Sequence, residues 1–255
     1  MTGVKYQSYV ICTAPRSGST LLCKLLRATG MAGNPESYFH EPSIADWAAG
    51  VGLMYEAARP EQEVLRAVFQ AIIAQGRQGT ETFGLRLQRH SFGFFTQKLA
   101  VLAASQLSDA QRLQAVFGRT LFVFLSRRDK VDQAVSYVRA QQTGLWHVAP
   151  DGTELERLSP PRMPVYDAGE IGRWVEVMTA YDRDWEGWFQ RQGIDPLRIS
   201  YDALAAEPIE LLRHLLDQLG LDRDAAHGIT PGVRKLADDI SRDWGARFRS
   251  ENGIG

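Results

Sequence analysis

Cysteine is nearly missing from this chain: Cys12 and Cys23 are its only two in 255 residues. Two cannot build the disulfide framework of a small secreted domain. Both stand in apolar surroundings, so they read as buried thiols suited to a reducing compartment, neither bridged nor metal-binding. Long hydrophobic runs are missing too. No stretch approaches the ~18 apolar residues of a membrane span, and the apolar run near the N-terminus is shorter than a signal-peptide core and passes straight into a polar loop. The expectation is a cytoplasmic protein with no membrane span. Net charge is close to nil, with 29 Lys and Arg against 30 Asp and Glu, which argues against nucleic acid as a bulk partner. There is no internal repeat, low-complexity tract or linker. A chain of 255 residues is long enough to bury a full core, and we read 1–255 as one α/β domain.

What is present is concentrated first in Cys12-Thr13-Ala14-Pro15-Arg16-Ser17-Gly18-Ser19-Thr20-Leu21-Leu22. The run Tyr9-Val10-Ile11-Cys12 has the β-branched and aromatic character of a short buried strand, and Leu21, Leu22, Leu25 and Leu26 then recur at helical spacing. Pro15 and Gly18 break the chain between them. Strand, loop and helix in this order aim backbone N–H groups and the positive end of a helix at one spot. Pro15, Arg16, Ser17, Gly18, Ser19 and Thr20 thus form a candidate phosphate or sulfate site. The Walker loop needs a lysine for the terminal phosphates. Here Ser19 stands in the lysine's place and the nearby cation, Arg16, precedes the glycine. ATP hydrolysis is therefore not expected. Arg16 offers a planar, permanently charged fork for a pair of phosphate or sulfonate oxygens.

A second stretch repeats the logic. Thr120 to Leu125 is a continuous apolar run that ends in Arg127 and Arg128 and leads into a helix from about Lys130. Ligands of open α/β sheets bind at that carboxyl edge. Ser136 lies almost two turns along the helix, where its hydroxyl and the Arg127 fork are placed to grip one phosphate from two sides. The alternative is an ordinary helix-surface serine and a solvated arginine pair.

Arg-Ser-Gly-Ser-Thr after a first strand resembles the 5′-phosphosulfate loop of sulfotransferases that use 3′-phosphoadenosine 5′-phosphosulfate. The form with arginine resembles the Stf0 family of bacterial carbohydrate sulfotransferases. Arg127 with Ser136 resembles such enzymes' site for the 3′-phosphate, and the run from Arg139 to Trp146 is similar to the Stf0 family as well. The resemblance implies a P-loop-like three-layer α/β fold, a central parallel sheet flanked by helices. It implies sulfuryl transfer from 3′-phosphoadenosine 5′-phosphosulfate to a sugar or glycolipid hydroxyl, without metal, releasing adenosine 3′,5′-bisphosphate. Trehalose, a glycolipid or a polysaccharide all fit as acceptor. Arg86, where family members carry a Gly-Lys-Leu type segment, becomes a candidate contact to the phosphosulfate. Lys235 joins the donor site as part of a late basic segment. The family's catalytic carboxylate comes just before an aromatic pair; here Ser37 precedes Tyr38-Phe39 and the acid stands one place earlier, at Glu36. Glu36 is the expected base, with Glu41 and then His40 behind it, and Arg16 is the expected stabiliser of the leaving group.

The rest reads as scaffold. Apolar residues from Val64 to Ile73 line one helical face. Gly84 in the strand Thr82 to Leu87 permits close backbone approach. Ser108 with Gln111, and Asp167 with Glu170, have capping-box spacing. Trp174, Met178, Tyr181, Trp185, Trp188 and Phe189 form a helical stripe that reads as core or the seam of a homodimer, with sugar stacking by one exposed Trp as the lesser alternative. Residues 147–166 are rich in Pro, Gly, Asp and Glu and read as a long loop. Leu197 to Tyr201 reads as a last strand, with Asp202 placed to cap a turn before the next helix. Two rivals to the sulfotransferase reading remain: a P-loop kinase or NTPase, marked by dependence on magnesium and ATP, and a non-catalytic nucleotide-binding protein, marked by binding without product.

Overall fold

The apolar run after Tyr6 forms β1 (Ser8–Thr13), and all of its residues are buried. A strand covered on both faces belongs in the middle of a parallel sheet, and β1 pairs in parallel with β2 (Phe83–Gln88) on one side and β3 (Thr120–Ser126) on the other. The last strand, β6 (Leu197–Ser200), pairs with β3, giving the order β2-β1-β3-β6. The computed structural model describes residues 5–233 and 238–254; Lys235 lies outside the described residues.

The pleat sends alternate side chains to opposite faces, and each face has its own core. Val10, Cys12, Phe122, Phe124, Phe83 and Leu85 pack on one side. They meet the short α2 (Ile44–Gly50), α3 (Glu61–Arg77), α4 (Arg89–Leu102), α5 (Asp109–Phe117) and α7 (Ala168–Gln192). On the other side Tyr9, Ile11, Leu121, Val123 and Leu125 pack against α1 (Ser19–Ala28), the short α8 (Tyr201–Ala206) and α9 (Pro208–Leu219). Helix, sheet and helix make the three layers expected. A third cluster joins α6 (Lys130–Thr143) and α7 to α10 (Asp239–Asn252).

Four residues of the apolar stripe of α7, Met178, Trp185, Trp188 and Phe189, are buried within this single chain, while Trp174 and Tyr181 are half-buried. The Trp185 indole N–H also donates to the Thr13 carbonyl at 2.9 Å, which ties α7 to the end of β1. Truncating an aromatic so placed costs about 3–5 kcal/mol. Gly84 has the role its sequence suggested, because a Cβ there would stand 2.5 Å from the Tyr9 hydroxyl and 2.9 Å from Pro35.

Three expectations need correction. Residues 147–166 are not loop throughout: β4 (Leu145–Val148) and β5 (Glu154–Arg157) form an antiparallel hairpin across the Pro-Asp-Gly turn. The helix after β6 is capped by Ser200, whose hydroxyl accepts from the Ala203 N–H, and not by Asp202. Ser108 and Gln111 form a complete capping box, but Asp167 forms only half of one, since Glu170 turns outward to Arg173. Both thiols are free and buried, as expected. Burial alone pushes Cys12 well up, and burial first among its causes pushes Cys23 up to about 12, so neither is a thiolate at neutral pH.

Candidate functional site

The loop between β1 and α1 turns on two residues with positive φ. Gly18 stands at +87° and is the N-cap of α1. A Cβ there would lie 2.7 Å from the Tyr201 ring, so both the backbone angle and the packing require glycine. Arg16, at +61°, is one of only two non-glycine residues with positive φ among the described residues. A left-handed arginine is held there by its surroundings. Its Nε donates to the Ser136 hydroxyl at 2.9 Å and its Nη1 to the Trp146 carbonyl at 2.7 Å. Burial, and after it the charge of Arg127, lowers Arg16 to about 10, which still leaves it a cation at neutral pH.

These residues open onto a cavity of about 580 Å³ at the carboxyl edge of the sheet, lined in part by Arg16, Gly18, Ser19, Thr20, Arg127, Ser136, Trp146, His147, Tyr201 and Arg242. The N-terminus of α1 faces it, so free amide donors and the helix dipole favour an anion. Arg127 is 6% exposed. Its guanidinium lies 4.6 Å from the centre of the Tyr201 ring and 3.4 Å from the Asp132 carboxylate. Asp132 also accepts from Arg249 of α10 at 3.1 Å, and Asp129 from the same guanidinium at 2.6 Å. The C-terminal helix is thereby pinned to the start of α6 beside Arg127.

The sequence-derived candidates divide into three groups. Arg16, Gly18, Ser19, Thr20, Arg127 and Ser136 line one cavity, although they come from the turns and helices after two different strands. Pro15 and Ser17 do not line it. The Pro15 carbonyl accepts from the Gln133 amide at 2.7 Å, and the buried Ser17 hydroxyl donates inward to the Ala14 carbonyl at 2.8 Å, beside Thr13. Both shape the loop, and Ser17 keeps only its backbone N–H for a ligand. Arg86 and Glu36 form the third group. The Glu36 backbone extends the sheet by a parallel bridge to Leu85, and the Arg86 N–H donates to the Glu36 carbonyl at 3.1 Å. The Arg86 fork then spans Ser37 at 2.7 Å, Thr20 at 3.0 Å and the Glu36 carboxylate at 3.7 Å. Arg86 is the strut that holds the 36–37 segment against the first turn of α1. His40 and Glu41 lie 3.7 Å from each other, and His40 packs edge-on against His90.

Sequence reading missed His147 and Glu156. They pair across the β4–β5 hairpin, with Nδ1 and Oε2 2.5 Å apart, and His147 lines the cavity. It also missed Tyr201, which covers Gly18 and Arg127 together. No local pattern marks a contact between residues 183 positions apart, and the Pro-Asp-Gly turn was the one available signal of the hairpin.

A family model described as Stf0 sulphotransferase matches residues 8–251. The chain is 31% identical to the trehalose 2-sulfotransferase of Mycobacterium tuberculosis, over 95% of this chain and 94% of that protein. It is 28% identical to the trehalose 2-sulfotransferase of Mycolicibacterium smegmatis, over 96% of this chain and 95% of that protein. Among solved structures, the sulfotransferase domain of the Synechococcus PCC 7002 olefin synthase is similar at a TM-score of 0.45 and 15% identity, covering 95% of this chain and 86% of that one.

Proposed function

The chain belongs to the Stf0 sulphotransferase family, and from that premise we propose that it moves a sulfuryl group from 3′-phosphoadenosine 5′-phosphosulfate to a carbohydrate hydroxyl. The observation that carries this reading is the meeting of Arg16 and Arg127 on one cavity at the N-terminus of α1. Two cationic forks on one cavity, Arg16 from the loop after β1 and Arg127 from the end of β3, suit a ligand that carries two anionic groups on one nucleoside. In this reading Ser136 and Arg127 hold the 3′-phosphate, and the amides from Gly18 to Thr20 with Arg16 hold the 5′-phosphosulfate. A sugar as acceptor is supported by the relatives named above, which act on trehalose. Trehalose, a glycolipid or another glycan is the acceptor class.

The reaction needs a new S–O bond to the acceptor oxygen while the bond from sulfur to the 5′-phosphate breaks. The electron pair leaves on that phosphate, and Arg16 is positioned to offset its growing charge. The hydroxyl proton must go to a base. Glu36 is our first assignment, because Arg86 links its carboxylate to Thr20, which lines the cavity, although Glu36 and Arg86 themselves stand outside that lining. Incubating the chain with the donor and a panel of trehalose, glucose, methyl glucoside and octyl glucoside, with products read by mass, tests the reading. A sulfated sugar is expected. Donor binding with no sulfated product on any of them would refute it.

A further inference from the structure

The β4–β5 hairpin brings a histidine, His147, to the cavity wall with a carboxylate, Glu156, behind it. His147 and Glu156 are opposite one another in β4 and β5, and His147 Nδ1 stands 2.5 Å from Glu156 Oε2. An ionised carboxylate only accepts, so Nδ1 carries the hydrogen, and the neutral ring is left with a bare Nε2. The residue before it, Trp146, holds Arg16 through its carbonyl. His147 therefore borders the same wall as the arginine assigned to the sulfuryl group.

Beside apolar residues such as Leu21, Val135 and Pro208, the charged groups of the cavity are mostly cations, Arg16, Arg127 and Arg242, and the Ser136 hydroxyl accepts from Arg16 and is left to donate. The cavity's carboxylate, Asp132, is already engaged by Arg127 and Arg249. An anionic donor molecule finds partners among the cations, but a bare imidazole nitrogen would face it lone pair to lone pair. Its natural partner is an O–H. Burial first, then the nearby charge of Arg16, pulls His147 below its ordinary pKa, with Arg86 acting in the same direction and Glu156 opposing. Neutral at physiological pH, the ring presents a lone pair. Of the other charges on the hairpin, Arg157 is occupied by Glu154.

We propose that His147, fixed by Glu156, is the group of this site that receives a hydroxyl of the acceptor, its Nε2 accepting the hydrogen bond that orients the sugar over the sulfuryl group. The assignment rests on the sulfotransferase reading and adds to it a group that selects and orients the acceptor. It is separate from the proton transfer given to Glu36.

The test uses the full chain, His147→Phe and Glu156→Gln, with whichever sugar of the panel above gives the most product with the wild-type chain. Acceptor KM and kcat are measured between about pH 5.5 and 8.5, across the titration of a histidine, and adenosine 3′,5′-bisphosphate binding is measured by calorimetry. His147→Phe should raise acceptor KM about tenfold, the effect of one lost hydrogen bond, with nucleotide affinity unchanged. The wild-type kcat/KM should fall on the acid side as the imidazolium loses its lone pair. Glu156→Gln removes a bond that favours the imidazolium, so that fall should move to lower pH. A His147→Phe chain with unchanged KM and an unchanged acid limb would overturn the assignment while leaving the sulfotransferase reading intact. If His147→Phe no longer binds the nucleotide, Glu156→Gln decides, and an acid limb that does not move overturns it. A wild-type chain that sulfates no sugar overturns the parent reading and this assignment with it.

Discussion

Arg16 donates to the Ser136 hydroxyl at 2.9 Å, so the loop after β1 and the helix after β3 are joined side chain to side chain at the cavity wall. The two halves of the site are therefore set relative to one another before any ligand binds. A fork held in place needs little reorganisation when charge appears, which is the condition under which such groups contribute most to a rate.

That relationship makes Arg16→Lys informative. Lysine keeps the charge but cannot hold Ser136 and the Trp146 carbonyl together while facing a ligand. We expect kcat to fall by more than the donor KM rises, because charge on the bridging oxygen grows only in the transition state. Steady-state kinetics on the purified variant checks this, and normal turnover with a raised donor KM would show that Arg16 only binds.

Arg127→Ala should weaken adenosine 3′,5′-bisphosphate by about 1.5–3 kcal/mol, the range for hydrogen bonds to charged groups, and leave adenosine 5′-phosphosulfate nearly unaffected. Asp132 retains Arg249 as a partner in that variant, which limits the damage to the fold. Calorimetry with both nucleotides is the measurement. Equal losses would place the 3′-phosphate away from Arg127.

Gly18→Ala forces a Cβ to 2.7 Å from the Tyr201 ring at a φ of +87°. The expected cost is about 1–3 kcal/mol of stability, read as a lowered Tm, together with loss of nucleotide binding as Tyr201 moves. The same substitution at Gly30, whose Cβ would meet nothing within 4 Å although its φ is also positive, controls for backbone strain alone. Equal Tm losses at both positions would mean that the Tyr201 contact contributes nothing.

Glu36→Gln should lower kcat by ~10²–10⁴, the usual range for a lost general base, with donor affinity intact. Glu41→Gln and His40→Asn should stay within a few-fold of wild type. If Glu36→Gln turns over normally while one of the others collapses, the base is that residue.

Much of the site was legible because it lies where strands end. Pro15 and Gly18 mark the break after β1, and the apolar run into Arg127 marks the end of β3; both patterns are local and survived folding unchanged. The inward turn of the Ser17 hydroxyl was not legible, since a serine in a polar loop looks the same whether it faces ligand or carbonyl. The hairpin escaped because its strands are only four residues long and mostly exposed or half-exposed, so hydrophobic alternation had almost nothing to act on. Ser200 beat Asp202 to the cap because β6 ends one residue earlier than its apolar pattern.

The measurement that tests the central claim most directly is transfer of radiolabelled sulfate from 3′-phosphoadenosine 5′-phosphosulfate to the sugar panel, run with and without a magnesium chelator. The account predicts label on a sugar, one adenosine 3′,5′-bisphosphate released for each sulfate moved, and no effect of the chelator. A chain that binds the nucleotide but labels no sugar, or whose turnover needs ATP and magnesium, would contradict it.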